Sequence, residues 1–231
     1  MVLGTGCSSR PKLQVDQVRD EQGHLLREES FYIAPGGEHV KHGRQLHYWP
    51  NGSRAAEAWF EHGIWQGRQT QWWPSGTRLE EGNITAGRRE GLWIGWHDNG
   101  AKSWETVYQD DRICGMKRTW YKIGRLRSEA QYSNGQLCSI KTWYQSGGEM
   151  TYGMFKAGHA DGIWRYRAED GTLLAEGTYC EGEPCDGVLL TFAEQIGHTA
   201  SSPPRRFVEY RSGQKLRELT IPVPQEMLDS W

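Results

Sequence analysis

Trp73-Pro74-Ser75-Gly76-Thr77-Arg78-Leu79-Glu80-Glu81-Gly82-Asn83-Ile84-Thr85-Ala86-Gly87-Arg88-Arg89-Glu90-Gly91-Leu92-Trp93-Ile94-Gly95-Trp96 spells out one full period of this chain. Its turn glycine, Gly76, has counterparts at Gly52, Gly100, Gly124, Gly147 and Gly171, in steps of 24, 24, 24, 23 and 24 residues. Other columns keep the same phase. Five residues after the glycine stand Glu57, Glu81, Glu105, Glu129 and Glu176, with Glu28 after Gly23 and Glu218 after Gly213; Tyr152 interrupts the column. A small residue at plus six and a large apolar one at plus eight recur as Ala58 and Phe60, Gly82 and Ile84, Thr106 and Tyr108, Ala130 and Tyr132, Gly153 and Phe155, Gly177 and Tyr179. Recurrence at a fixed period of this size is the signature of one supersecondary unit repeated in file.

Residues two apart share one face of a strand, which is how the plus-six and plus-eight columns are read. Segments such as Gly91 to Trp96 are short, aromatic and bounded by turn residues, and no window carries apolar residues at i, i+3, i+4 and i+7. Strands rather than helices follow. Pro50-Asn51-Gly52, Pro74-Ser75-Gly76 and Asp98-Asn99-Gly100 read as tight turns; Asn-Gly is a strong hairpin signal because both residues tolerate positive φ. Glycine-containing loops at plus eleven, at Gly63, Gly87, Gly135, Gly158 and Gly182, close the other end of each unit. The sequence therefore predicts an all-β fold: an elongated, single-layer antiparallel meander of stacked hairpin repeats, capped at both ends.

On this reading residues 13–221 form the repeat domain, with units near 23–52, 53–76, 77–100, 101–124, 125–147, 148–171 and 172–192. A loop at 193–206 and a capping hairpin at 207–221 follow, and Pro222 and Pro224 stop that hairpin ahead of a tail at 222–231. Val15–Arg19 with His24–Ile33 cap the other end, blunting an edge that would otherwise template sheet growth. Residues 1–12 are an N-terminal segment and linker.

Trp-Pro-Asn-Gly, a Glu five residues on, then Gly-x-x-x-Gly-Leu-Trp resembles the bacterial variant of the MORN repeat, as in YwqK-type antitoxin-like proteins. The resemblance covers roughly residues 23–192 and a last half-unit at 207–221. It implies stacked β-hairpins, and a scaffold that binds proteins, a toxin among them, or membranes.

With 231 residues and 36% hydrophobic content, the chain lacks the aliphatic mass of a thick two-layer core. Its 12 tryptophans and 10 tyrosines supply the burial instead. A net charge of −2 with interleaved signs leaves no basic stripe, which argues against a nucleic-acid partner. No stretch approaches the roughly 20 apolar residues of a membrane-spanning helix.

Val2-Leu3-Gly4-Thr5-Gly6-Cys7-Ser8-Ser9 resembles the end of a bacterial lipoprotein signal, which implies lipidation at Cys7 and a place in the cell envelope. The charged and apolar parts of an export signal do not accompany it, and Gly4 stands where such signals usually carry Leu. A start codon placed late or a truncation would account for this; a cytoplasmic protein is the alternative. Cys180 and Cys185 flank Glu181-Gly182-Glu183-Pro184 and could pair across a hairpin, which suits an oxidising compartment. Cys114 and Cys138 occupy equivalent positions in successive units, about 10 Å apart in a meander and too far to bond.

No catalytic motif stands out, and no catalytic residue, cofactor or metal is expected. The one histidine cluster, His39, His42 and His47, runs out of the irregular insert Ala34-Pro35-Gly36-Gly37-Glu38 and reads as solvated loop. The glutamates recur in every unit, so they are structural, pairing with neighbouring backbone or with bases such as Arg54, Arg78 and Lys102. Trp59, Trp65, Trp73 and Trp104 fall outside the shared aromatic columns and are the candidate partner-binding residues. The expected function is a non-enzymatic repeat scaffold for protein–protein interaction, lipid-anchored at the envelope. The alternatives are an antitoxin or immunity protein, and a membrane-lipid-binding module.

Overall fold

A computed structural model describes residues 12–191 and 206–228; Cys7 and nearly all of the 193–206 loop lie outside the described residues. Among the described residues eighteen antiparallel strands follow one another in a single open sheet in meander order, with one short helical turn. The chain divides into two compact units, residues 1–100 with 108–111 and residues 101–107 with 112–231.

The first unit contains β1 (Gln14–Arg19), β2 (Leu25–Ile33), β3 (His39–Tyr48), β4 (Arg54–Glu61), β5 (Ile64–Trp65), β6 (Gly67–Trp72), β7 (Arg78–Thr85) and β8 (Arg88–Trp96). Strand β9 (Lys102–Gln109) contributes to both units. The second holds β10 (Arg112–Trp120), β11 (Leu126–Ser133), β12 (Gln136–Trp143), β13 (Glu149–Lys156), β14 (His159–Arg167) and β15 (Leu173–Cys180). It ends with β16 (Glu183–Thr191), β17 (Arg206–Arg211), β18 (Gln214–Leu219) and one helical turn, α1 (Gln225–Leu228).

The two ends of each hairpin use different turn chemistry. At Trp73-Pro74-Ser75-Gly76 the Gly76 N–H donates to Trp73 O at 2.8 Å, only the glycine has positive φ (87°), and the register slips at Trp72. This is a bulged connection around a type I turn. The tight turn expected at Pro50-Asn51-Gly52 is of this kind too, with positive φ at Gly52 alone. Asn51 accepts from Ser53 N–H at 3.0 Å and donates to Pro74 O in the next turn at 2.8 Å. The two-residue loops with both φ positive sit at the opposite end, as at Ala86 (50°) and Gly87 (81°), and recur at 62–63, 110–111, 134–135, 157–158, 181–182 and 212–213.

Each repeat is tied to the next at both ends. The plus-eleven amide donates to the preceding unit, as in Gly63 to Lys41 O, Gly87 to Trp65 O, Gly135 to Ile113 O and Gly182 to Ala160 O. At the bulged end an aromatic side chain donates 22 or 23 residues ahead: Trp49 Nε1 to Trp72 O, Trp73 Nε1 to Trp96 O, Tyr121 OH to Trp143 O and Tyr144 OH to Arg167 O. Trp73 thus belongs to a recurring column after all. Indole and phenol share its role, which hid it from residue matching.

The small column exists because a ring lies on it. A Cβ on Gly82 would come within 2.2 Å of the fully buried Trp93, and one on Gly153 within 2.5 Å of Trp164. In the second unit the same face continues into a cluster of Tyr144, Met150, Trp164, Tyr166, Leu189, Phe207 and Met227. The tail joins this core instead of simply trailing from the last strand. Met227 is 0% exposed, and Glu226 accepts from Gln145 N–H at 2.8 Å and from Tyr121 OH at 3.4 Å. Burial of Tyr144, then the carboxylate of Glu169, pushes its phenol up to about 12.

Candidate functional site

The face opposite Trp93 and Trp164 carries the glutamate column, and the pairing register turns that column into a row crossing the strands. In the first unit the row runs Glu28, Leu46, Glu57, Thr70, Glu81, Ile94. In the second it runs Arg118, Glu129, Lys141, Tyr152, Arg165, Glu176. First strands supply acids and second strands supply what lies between them.

In the second unit those intervening residues are cations. Arg118 donates to Glu129 at 2.8 Å and to Glu105 at 3.4 Å, and Lys102 reaches Glu105 at 2.8 Å. The Lys102 hydrogen bond, helped by Arg118 and opposed by burial, holds the Glu105 carboxyl below the usual glutamate range. Arg165 pairs with Glu176. Where Tyr152 breaks the column, Glu149 substitutes for the missing acid, 2.8 Å from Lys141. Two positions along the same strands, hence on the same face, lie Met116, Gln131, Ser139 and Met154 in one run and Ile163 with Thr178 in another, the β13–β14 register shifting between them. Met154 and Ile163 remain 40% and 38% exposed beside a charge ladder that is already neutralised.

In the first unit the cations stand to the sides. Arg68 and Arg78 reach Glu81 at 2.6 and 3.3 Å, and Arg54 approaches Glu57 at 3.7 Å. Thr70 is short, so the row dips between the two acids. The result is a depression of about 240 Å³ lined by Glu57, Trp59, Arg68, Thr70, Trp72, Arg78 and Glu81.

The four candidate tryptophans do not converge. Trp59, 44% exposed, lines the groove. Trp65 turns to the other face and stacks on Phe60 at 6.3 Å, its buried Nε1 without a hydrogen-bond partner among the described residues. Trp73 is the inter-repeat tie described above, and Trp104 is half-buried in the second unit, on the face of Thr106. Thr70, Arg68 and Trp72 were missed. The column eighteen residues after the turn glycine, reading Thr70, Ile94, Arg118 and Arg165, was the available signal.

His39, His42 and His47 do not form a cluster either. His39 stacks on Phe31 at 3.6 Å, and burial, then Arg27, depresses the His47 imidazole. His42 instead meets His62 at 4.9 Å between ring centres, and Tyr32 OH lies 3.0 Å from His62 Nδ1. Among the described residues no group of three His, Cys, Asp or Glu side chains is placed to hold a metal ion. Cys180 and Cys185 are bonded, with Cα atoms 5.8 Å apart, while Cys114 and Cys138 are free thiols. Among the described residues no helix is long and apolar enough to cross a membrane.

Both sites are open surfaces that can hold a ligand by shape, stacking and hydrogen bonding. Comparison with protein-family models and with curated proteins finds no match to this chain.

Proposed function

We infer that this chain is a non-catalytic repeat scaffold whose exposed sheet face binds a protein partner, held at the bacterial envelope through lipid on Cys7. The observation that carries the reading is the exposed pair Met154 and Ile163 in the second unit, with Met116 half-buried in the same run as Met154, next to a ladder of satisfied charges. Exposed apolar side chains gathered on one face mark an interaction surface, and thioether side chains adapt to varied partner surfaces. The resemblance to MORN-type repeats and the Cys180–Cys185 bond, which suits an exported protein, support the reading.

The test is a photo-crosslinking residue placed at position 154 or 163 of the full chain in producing cells. One defined adduct is expected at both positions, lost when Met116 is changed to Asp. Absence of an adduct at both, or adducts equally strong from Lys156 on the hairpin end, would remove this surface from the proposal. Labelling with a radioactive fatty acid, abolished by Cys7→Ser, tests the anchor separately.

A further inference from the structure

The groove across β4, β6 and β7 has a chemistry of its own, carried by residues other than Met116, Met154 and Ile163. We propose that it is a saccharide-binding site, taking one pyranose ring of a neutral glycan between Trp59 and Trp72.

Its floor is a departure from the repeat. Where the second unit sets Arg118, Lys141 or Arg165 beside the acids of the row, this one has Thr70. Thr70 is 8% exposed and lines the depression. A short hydroxyl there leaves room above it and can both donate to and accept from a ligand hydroxyl.

The walls are two rings that carry no cation among the described residues. Trp96, Trp120 and Trp143 each carry a cation from their own repeat, Arg78 at 5.8 Å, Lys102 at 4.9 Å and Lys141 at 5.5 Å. Trp72 occupies the same column without such a cation among the described residues, and so does Trp59 in its own place. An uncovered indole offers a flat apolar surface with a polar edge, which matches the C–H face of a pyranose.

The charges select against ions. Glu57 and Glu81 are matched within the lining by Arg68 and Arg78, with Arg54 3.7 Å from Glu57. An anion would compete with Glu81 for Arg68, already at 2.6 Å, and a cation would meet both arginines. A hydroxyl both donates and accepts, so vicinal hydroxyls match carboxylates interleaved with guanidinium N–H groups. The volume of about 240 Å³ lies below the roughly 300–1,000 Å³ of drug-sized pockets, which fits a single ring of a longer chain.

The test titrates chitotetraose, cellotetraose and maltotetraose into the full chain, read by tryptophan fluorescence and saturation-transfer NMR. At least one sugar is expected to bind saturably, with little change in 1 M NaCl. Affinity should fall by at least ~tenfold in Trp59→Ala and in Thr70→Arg. Thr70→Arg recreates the second unit's arrangement, so the fold should survive; circular dichroism checks this, and Trp59→Ala carries the test if it does not. Arg118→Thr in the second unit should leave sugar binding unchanged. Failure of all three sugars, binding that survives both groove variants, or binding of oligolysine or oligoglutamate there in place of sugar would overturn the proposal. None of these outcomes depends on crosslinking at position 154 or 163.

Discussion

Residues 54–96 and 112–180 are built from the same columns, yet one presents a groove and the other a closed ladder. Glutamates from alternate strands form the fixed part in both. The difference lies in the strand between: Thr70 and Ile94 in the first unit, Arg118, Lys141 and Arg165 in the second. Repeated acids therefore act as a platform, and the residue facing them decides whether a face is sealed or available. A short side chain in one such place opens a site without altering the backbone.

The largest effect should fall where the two units are alike. Gly82→Val and Gly153→Val would drive a side chain into Trp93 and Trp164, whose rings lie 2.2 and 2.5 Å from the first added carbon. Overpacking of this severity costs about 3 kcal/mol or more. Urea denaturation should show similar losses for both. A mild effect at one glycine alone would break the equivalence of the units.

The second effect should distinguish them. Met227 is fully buried in the second unit's core, and α1 is the only helix among the described residues. Met227→Ala is expected to cost about 2–3 kcal/mol. Hydrogen exchange should accelerate at Gln145, whose N–H Glu226 accepts, and around Tyr144. Amides of β6 and β7 should not change; faster exchange there would show that the two units do not unfold separately.

What the sequence made legible follows from how local each feature is. The hairpins, their turn glycines and the Glu column depend on residues within one period, so spacing alone displays them. The partners of Glu57, Glu81 and Glu105 include Arg54, Arg78 and Lys102, as expected from proximity along the strand, but Arg68 and Arg118 join them across strands. Reading those contacts requires the register. The groove was illegible for the same reason, because Thr70 matters only once it is known to stand between Glu57 and Glu81. Trp73, Tyr121 and Tyr144 escaped notice as one column since unlike side chains reach the same carbonyl position. The docking of α1 spans 81 residues from Glu226 to Gln145, and no local pattern encodes it.

The disulfide belongs to the second unit alone and should matter less than the tail. Cys180 and Cys185 close a short loop that β15 and β16 already hold by pairing Cys180 with Glu183. Chain-entropy arguments give about 2 kcal/mol for a loop of this length. Cys180→Ser with Cys185→Ser should lower the melting temperature, and a reductant should have no further effect on that double variant. A variant as stable as the parent would mean that the hairpin alone confines this end.

The smallest effect concerns charge. The folded Glu105 carboxyl titrates below its ordinary range because Lys102 and then Arg118 bond its ionised form. Its stabilisation is fully present above the unfolded glutamate pKa and is lost as pH falls through the lower folded value. Exposed pairs contribute little, so the amount should be about 0.5 kcal/mol and should shrink in salt. Urea midpoints of the parent should fall between about pH 5 and about pH 3 by more than those of Glu105→Gln. Thr70→Arg sharpens the comparison with the first unit, because it gives Glu57 and Glu81 a bridging cation like the one Glu105 shares with Glu129. If the ladder stabilises as well as seals, that variant should gain a similar few tenths of a kcal/mol at neutral pH and lose them in acid. A variant unchanged in stability at both pH values would leave the ladder cations with the single role of closing the face.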